Sequence, residues 1–468
     1  MIEERIVTYQ SINPFSGKLL KTFEQHSDQQ MEGALATADI AFQKQWSTAT
    51  FRDRARIVGQ AASLMSQRKE SLARLAAVEM GKRIAEGRDE VELSAAILRY
   101  YADHAETFLE PQPIDSTFGD AHLEFSPLGV LIGVQPWNFP YYQLARFAAP
   151  NLMAGNVLLV KHASGVPQCA LAFEQLFTDA GAPRGVYTNL FLSGDQVGAL
   201  IDDPRIKGVA LTGSEQAGEA LASRAGKNLK RSTMELGGSD PFIVLEDCDL
   251  EFAVKMAVLG RMGNAGQTCI GAKRFILVGP RATQFLVAFR NALAQLKPGD
   301  PIDQSTTLAP LASEAALNLI LEQVGEAVAH GAKLFAGGDR IQHQGAFMQP
   351  TILTDIEPDN PAFRKEFFGP VALFFAARDE EEAIALANDS PFGLGGSVYT
   401  SDIEHGKRVA SRIESGMIFV NYPFISAPEL PFGGIKRSGY GKELSNLGIQ
   451  EFVNRKLVCV AGSPQRVS

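Results

Sequence analysis

Three residues scattered along the chain have the side chains needed for covalent chemistry at a carbonyl group. Cys269 closes Gly-Asn-Ala-Gly-Gln-Thr-Cys (263–269), thirty-four positions after Glu235 in Met-Glu-Leu-Gly-Gly. A thiolate attacks a carbonyl carbon well, and a carboxylate activates the water that later frees the acyl group. The glycines and the polar Gln-Thr pair before Cys269 allow backbone amides to approach the sulfur, lowering its pKa and later holding an oxyanion. The competing reading of Cys269 is a small buried hydrophobe. Cys169 and Cys459, amid apolar neighbours, read that way, and Cys248 lies between Asp247 and Asp249, where like charge disfavours a thiolate. Glu235 beside two glycines also fits a turn carboxylate. Asn138, between the prolines of Gln-Pro-Trp-Asn-Phe-Pro, is either a turn former or an amide donor to a developing oxyanion.

A second set of residues suits phosphate. Leu211-Thr-Gly213-Ser214-Glu-Gln-Ala-Gly218 follows an apolar run and opens a helical pattern, where free N–H groups receive a pyrophosphate. It keeps a Gly-x4-Gly spacing rather than the GxGxxG fingerprint. Lys161, ending Val157–Val160, either reaches ribose hydroxyls or is a solvated strand end.

The elements that must hold these residues are legible in outline. Met31–Trp46, Phe51–Lys82 and Arg88–Phe108 carry apolar residues at helical spacing. From Gly129 the texture changes to short apolar runs (130–134, 157–160, 208–211 and 241–245) alternating with helical patterns at 168–180, 195–201 and 215–225. Strands buried on both faces and separated by helices make a parallel sheet of βαβ units. A second such series runs through strands at 274–278, 333–336, 371–376, 397–399 and 418–421, with helices at 282–296, 313–330 and 380–388. Two α/β domains follow, joined near 235–241. Residues 111–126 and 456–461 read as exposed strands suited to a partner's edge or to a surface hairpin.

At 468 residues the chain exceeds one ordinary core, and 45% hydrophobic with 21% charged residues describes a soluble globular protein. A net charge of −9 gives no basic footprint for nucleic acid. No apolar run is long enough to span a bilayer, and the first residues carry no signal or transit pattern. The four cysteines show no CxxC spacing and the seven histidines stand apart, so no metal site is expected and a reducing, cytoplasmic setting is.

Taken in order, Pro-Trp-Asn-Phe-Pro (136–140), Leu-Thr-Gly-Ser (211–214), Glu-Leu-Gly-Gly (235–238), Gly-Gln-Thr-Cys (266–269), Glu-Phe-Phe-Gly-Pro (366–370) and Pro-Phe-Gly-Gly-Ile-Lys-Arg-Ser-Gly (431–439) resemble the aldehyde dehydrogenase superfamily nearly end to end. The resemblance implies two doubly wound α/β domains plus a small bridging β element for oligomerisation. An NAD(P)-binding domain would span 1–110 and 128–235, a catalytic domain 236–435, and the oligomerisation element 111–127 and 452–468, giving a homodimer or homotetramer. It implies Cys269 as nucleophile, Glu235 as the base for deacylation, and Asn138 with the Cys269 N–H as oxyanion hole. For NAD or NADP it implies Lys161 on the adenosine ribose, Trp137, Gly213, Ser214 and Gly218 near the phosphates, Glu366 on the nicotinamide ribose and Phe368 beside the ring.

Within that superfamily the chain is most similar to a bacterial group acting on succinate semialdehyde. Arg146, eight residues after Asn138, stands where that group holds the distal carboxylate, and Ser426 falls in the same pocket; a surface or helix-cap arginine is the plain alternative. Phe147 replaces a lysine often found there, Gly263 replaces a second arginine whose role could pass to Arg261, and Gly271 removes a neighbouring-cysteine redox switch. Ser164 replaces a glutamate that repels a 2′-phosphate, so NADP is expected to be tolerated. The rival readings are another short aldehyde such as glutarate semialdehyde or a hydroxy aldehyde, a CoA-acylating enzyme, for which Glu235 would be superfluous, and a non-catalytic scaffold.

Overall fold

The computed structural model describes residues 9–461. The parts of the expected domains at 1–8 and 462–468 lie outside the described residues. Two open sheets dominate, each mostly parallel and covered by helices, as the unbroken apolar runs require. The first has the strand order Gly439–Tyr440, Arg231–Glu235, Ile206–Thr212, Val130–Gln135, Val157–His162, Tyr187–Asn189, parallel throughout except for the short first strand. The second runs Lys333–Ala336, Thr351–Thr354, Val371–Ala377, Ala272–Val278, Asp240–Val244, Ser397–Tyr399, Phe419–Val420, with only its first pair antiparallel. The chain passes between sheets across residues 236–239, and Gly439–Tyr440 returns to the first sheet beside Glu235.

Helices at 51–67 and 84–108 pack against Tyr142–Ala154 on the first sheet, and the helix at 69–80 packs against 84–108 and Pro167–Asp179. The run expected as one helix over 51–82 is two, broken at Arg68, which leaves helical geometry (φ −95°, ψ 14°). Tyr142–Ala154 gives no amphipathic signal, because all thirteen of its residues are buried and Pro150 interrupts it. Leu250–Met262 escaped for a related reason: its apolar residues surround the helix rather than form a stripe. Before these helices, Tyr9–Ile12 and Leu19–Phe23 form a hairpin where no strand was anticipated.

Gln112–Ile114, Gly119–Pro127 and Val453–Ala461 build a separate three-stranded antiparallel sheet, the last two paired over nine residues. Among the described residues one edge of Val453–Ala461 is unpaired, and Leu457 and Val460 project into solvent at about 60% exposure (61% and 62%). Cys459, expected as a buried hydrophobe, is exposed on this sheet, whereas Cys169 is buried in the core as expected. Among the described residues no helix is long and apolar enough to cross a membrane.

Candidate active site

The nucleophile loop is built by an unusual backbone. After helix Leu250–Met262, Asn264 (φ 52°), Ala265 (φ 53°) and Gly266 (φ 77°) adopt left-handed conformations in succession. Asparagine tolerates that region and alanine does not, so the turn stores strain that surrounding contacts must hold. Asn264 Nδ2 donates to the carbonyls of Asn138 at 2.8 Å and Gln267 at 3.1 Å, and Gln267 Nε2 returns to Asn264 O at 3.1 Å. A Cβ on Gly266 would collide with the Gly369 carbonyl, so this position has to be glycine. Cys269 emerges half-buried at the end of the turn. Burial pushes its thiol up to about 11, while Arg146 and Lys273 pull the other way.

The Pro-Trp-Asn-Phe-Pro loop leaves strand Val130–Gln135 and brings Asn138 to the same place: its Nδ2 donates to Gln267 O at 3.1 Å, two residues before the cysteine. His162, buried at the end of the neighbouring strand, brackets this loop. Its Nδ1 lies 3.1 Å from Gln135 O and its Nε2 3.0 Å from Pro140 O. Both carbonyls ask the ring for a hydrogen, yet burial outweighs them and lowers the imidazole pKa to about 4.

Helix Tyr142–Ala154 supplies the next wall. Its first turn has no cap of its own; instead Glu90 Oε1 accepts from the N–H groups of Tyr141 (2.8 Å) and Tyr142 (3.1 Å), and the carboxylate pairs with buried Lys82. An anion at a helix N-terminus is favoured by the dipole. Tyr142 Oη then meets Ser426 Oγ at 2.7 Å. A cavity of about 430 Å³ opens here, lined by Tyr142, Ser426, Cys269, Phe139, Phe424 and Phe432. Its size and mostly apolar wall suit a small ligand fixed by a few polar groups.

Arg146 stands behind that wall rather than in it. The guanidinium is fully buried, ion-paired to Glu443, within 3.3 Å of Tyr142 Oη and Thr212 Oγ1, and 4.1 Å from the Phe432 ring centre. Burial opposes its charge, but Glu443, Tyr142, Glu235 and Cys269 together outweigh it, so its pKa rises. The two-pronged grip on a distal carboxylate expected of Arg146 is taken up by these neighbours, and the side chain reaches the cavity through Tyr142. Arg261 does not replace it: this guanidinium is also fully buried, donates to the Gly266 carbonyl and is absent from the cavity lining. Gly263 does face the cavity, with open space where a side chain would stand. Phe147 packs into the core directly against Gly133.

Glu235 ends strand Arg231–Glu235, 2% exposed, and neither carboxylate oxygen has a hydrogen-bond partner among the described residues. Burial raises its pKa well above the ordinary carboxylate range, and the nearby Glu443 adds to the rise. Its carbonyl accepts from Gly213 N at 2.9 Å, fixing the phosphate-type turn to the same strand end.

Around that turn, Ser214 caps helix Glu215–Lys227 by accepting from Ala217 N at 3.3 Å, and a Cβ on Gly218 would strike Leu236. Lys161 has no hydrogen-bonding or ion-pair partner among the described residues; burial alone lowers its pKa, and no carboxylate acts on it. Ser164 is part-exposed nearby in sequence and gives its carbonyl to Gln10 N at 3.1 Å. Trp137 and Phe368 meet edge to face at 5.8 Å. Glu366 Oε1 accepts from Gly238 N at 3.2 Å. A lysine with no ion-pair partner among the described residues, the N-terminus of helix Glu215–Lys227 and the Glu366 carboxylate are groups suited to a dinucleotide's phosphates and ribose hydroxyls.

The chain belongs to the aldehyde dehydrogenase family, whose signature it matches over residues 2–458. It is 48% identical over 450 residues to the NADP(+) succinate-semialdehyde dehydrogenase of Deinococcus radiodurans, covering 96% of this chain and 94% of that one. A probable enzyme of the same name from Synechocystis is 46% identical, covering 96% and 99%. The crystal structure of succinic semialdehyde dehydrogenase from Streptococcus pyogenes with NADP+ superimposes with a TM-score of 0.96 at 44% identity, covering 97% of this chain and all (100%) of that one.

Several residues in the site gave no readable signal in the sequence. Tyr142, Glu443, His162 and the Lys82–Glu90 pair act through contacts more than eight residues away or through burial. Lys273 was passed over although it carried a signal, since it and Arg274 are two charges opening the otherwise apolar strand 272–278.

Proposed function

We propose that this chain oxidises succinate semialdehyde to succinate with NADP as preferred acceptor, through an acyl group carried on Cys269. The observation that carries the reading is a half-buried thiol on an apolar cavity, with the Asn138 amide bonded two residues before it and a buried carboxylate, both oxygens unbonded, that like the thiol acts on Arg146. Cys269 Sγ bonds the aldehyde carbon, and Asn138 Nδ2 with the Cys269 N–H receives the oxygen as it gains charge. The bound dinucleotide supplies the acceptor for the aldehyde hydrogen as a hydride. Burial keeps the resting thiol protonated, so its proton leaves to solvent as the sulfur bonds the aldehyde, and Glu235, whose burial favours holding a proton, serves the deacylating water. Glu235 then draws a proton from water, which attacks the thioester carbon and expels the Cys269 thiolate.

Lys161, Ser164, Trp137, Gly213, Ser214, Gly218, Glu366 and Phe368 hold the dinucleotide. Lys161 without a neighbouring carboxylate favours a 2′-phosphate, and the NADP-named relatives support the same choice. The substrate's far carboxylate meets Tyr142 and Ser426 in this reading, with Arg146 acting behind Tyr142. The domain assignment implied by the motifs is part of the proposal, with two amendments: Gly439–Tyr440 joins the cofactor-binding sheet, and the bridging sheet begins at Gln112. The unpaired edge of Val453–Ala461, with exposed Leu457 and Val460, supports a homo-oligomer built across that edge, and the chain is assigned to the cytoplasm.

The test is steady-state oxidation of succinate semialdehyde, glutarate semialdehyde and a neutral aliphatic aldehyde with each dinucleotide, paired with mass spectrometry of Glu235→Ala. Preference for succinate semialdehyde and an acyl adduct mapped to Cys269 are expected. No adduct after mixing with aldehyde and NADP+ sinks the covalent route.

A further inference from the structure

Lys273 begins strand Ala272–Val278, four residues after Cys269, and its side chain is fully buried (0% exposed). Its Nζ donates to the carbonyls of Cys269 at 2.7 Å, Thr268 at 2.9 Å and Gly271 at 3.3 Å. Glu366 Oε1 stands 3.2 Å away, the same oxygen that accepts from Gly238 N. Through these contacts one ammonium joins the nucleophile loop, the turn after Glu235 and the loop carrying Glu366.

The grip on Thr268 has a directional consequence. A trans peptide is planar, so its C=O and N–H point opposite ways. Fixing the Thr268 carbonyl toward Lys273 therefore fixes the Cys269 N–H away from it, and that amide is the backbone donor of the oxyanion hole. Holding the Cys269 carbonyl as well pins the plane on the other side of the same Cα, which leaves the sulfur-bearing bond little freedom. The ammonium has three hydrogens and four acceptors, and its charge is met by Glu366 rather than by water.

We propose that Lys273 is a positioning residue that aims the Cys269 amide and sulfur while anchoring Glu366, so that nucleophile alignment and dinucleotide binding are set through one buried ammonium. This rests on the assignment of Cys269 as nucleophile and Glu366 as a dinucleotide contact.

The test uses the full-length protein and two readouts: kinetics of aldehyde oxidation, and the rate at which iodoacetamide alkylates Cys269 without dinucleotide at pH 9. Lys273→Met is expected to lower kcat by about 10- to 100-fold, in the range of a misaimed oxyanion donor. It should also raise the KM for NADP by about threefold or more, as a loosened carboxylate contact would, while the aldehyde KM changes little. Alkylation should slow, because a positive charge beside the sulfur is gone. Glu366→Gln should raise the KM for NADP too, yet speed alkylation, since Lys273 then acts on the sulfur uncompensated. Opposite responses do not come from general loosening of the fold. Alkylation at the parent rate in both variants, or a lowered Tm with unchanged kinetics in Lys273→Met, overturns the proposal. If Lys273→Met does not fold, Glu366→Gln decides, and an unchanged alkylation rate there overturns it. Complete alkylation of the parent at Cys269 that leaves oxidation intact would instead remove the functional reading itself.

Discussion

Glu235 and Glu366 lie on either side of the Leu236–Gly238 turn, one ending the strand before it and the other held against its glycines, and are treated in opposite ways. Glu235 is buried at a strand end with no hydrogen-bond donor on either oxygen among the described residues, and its pKa is driven up. Glu366 is part-exposed on a loop and tied by the Lys273 ammonium and the Gly238 N–H. One side chain type is thereby divided into two tools: an unsatisfied carboxylate is a base waiting for a proton, and a satisfied one is an anchor for hydroxyl groups. The surroundings, rather than the residue, assign the role.

Breaking the first of these has the largest consequence. Glu235→Gln keeps the shape and removes the base, and steady-state turnover should fall by about 10²–10⁴-fold. Acylation in the first turnover should persist, so a burst of reduced dinucleotide is expected in stopped flow. Loss of the burst together with turnover would assign Glu235 to thiol activation as well as to deacylation. The raised pKa also fixes a stability trend. Between about pH 4.5, the unfolded value, and the higher folded value, the native state holds a proton that the unfolded chain has lost, so Glu235 makes stability fall as pH rises through that window. Glu235→Gln should remove this fall.

Asn138→Ala tests the side-chain donor proposed for the oxyanion, and should cost about 10²–10³-fold in kcat with little change in either KM. Because Asn138 Nδ2 also holds Gln267 O, a rise in the aldehyde KM would mean that the loop itself had moved.

How much of this was legible depends on whether a residue acts near its own place in the chain. Cys269, Glu235 and Asn138 sit in or beside glycine- or proline-bounded turns, where the local sequence dictates a rigid presentation. The buried strands were legible because parallel sheets demand apolar runs; Tyr142–Ala154 was not, because a helix buried on every side has no period to detect. Arg146 shows the limit most sharply. Its position in the chain suggested a ligand for substrate, but its first partner is Glu443, nearly three hundred residues away and in a stretch with no motif to suggest a buried charge. Pairings of that kind exist only in the folded chain.

That correction sharpens into a smaller prediction. If Arg146 works through Tyr142, then Tyr142→Phe keeps the ring and the cavity but removes the hydroxyl between Ser426 and the guanidinium. Discrimination in kcat/KM between succinate semialdehyde and a neutral aldehyde of similar length should shrink by about tenfold, the worth of one hydrogen bond to a charged group. Undiminished discrimination would return the carboxylate to Arg146 itself, by a movement that breaks its pair with Glu443.

The smallest expected effect concerns His162, whose two ring nitrogens lie against carbonyls at the two ends of the Asn138 loop while buried. Its pKa is lowered from 6.5 to about 4, so between those values the unfolded chain binds a proton that the native ring refuses. Stability from this residue is thus present above about pH 6.5 and lost as pH falls toward 4, by at most about 1.4 kcal/mol per pH unit. His162→Gln offers a donor to one carbonyl but does not titrate. The variant should melt below the parent at pH 7, and the gap should narrow steadily on acidification to pH 4.5, since only the parent carries the penalty. Carboxylates titrate in both proteins and cancel in the comparison. A gap that stays constant or widens would mean that the two carbonyls, each within 3.1 Å of a ring nitrogen, hold the imidazole in its charged form despite burial. The loop of Asn138 would then be clamped at both ends rather than one, and kcat rather than stability would be the quantity that His162→Gln changes most.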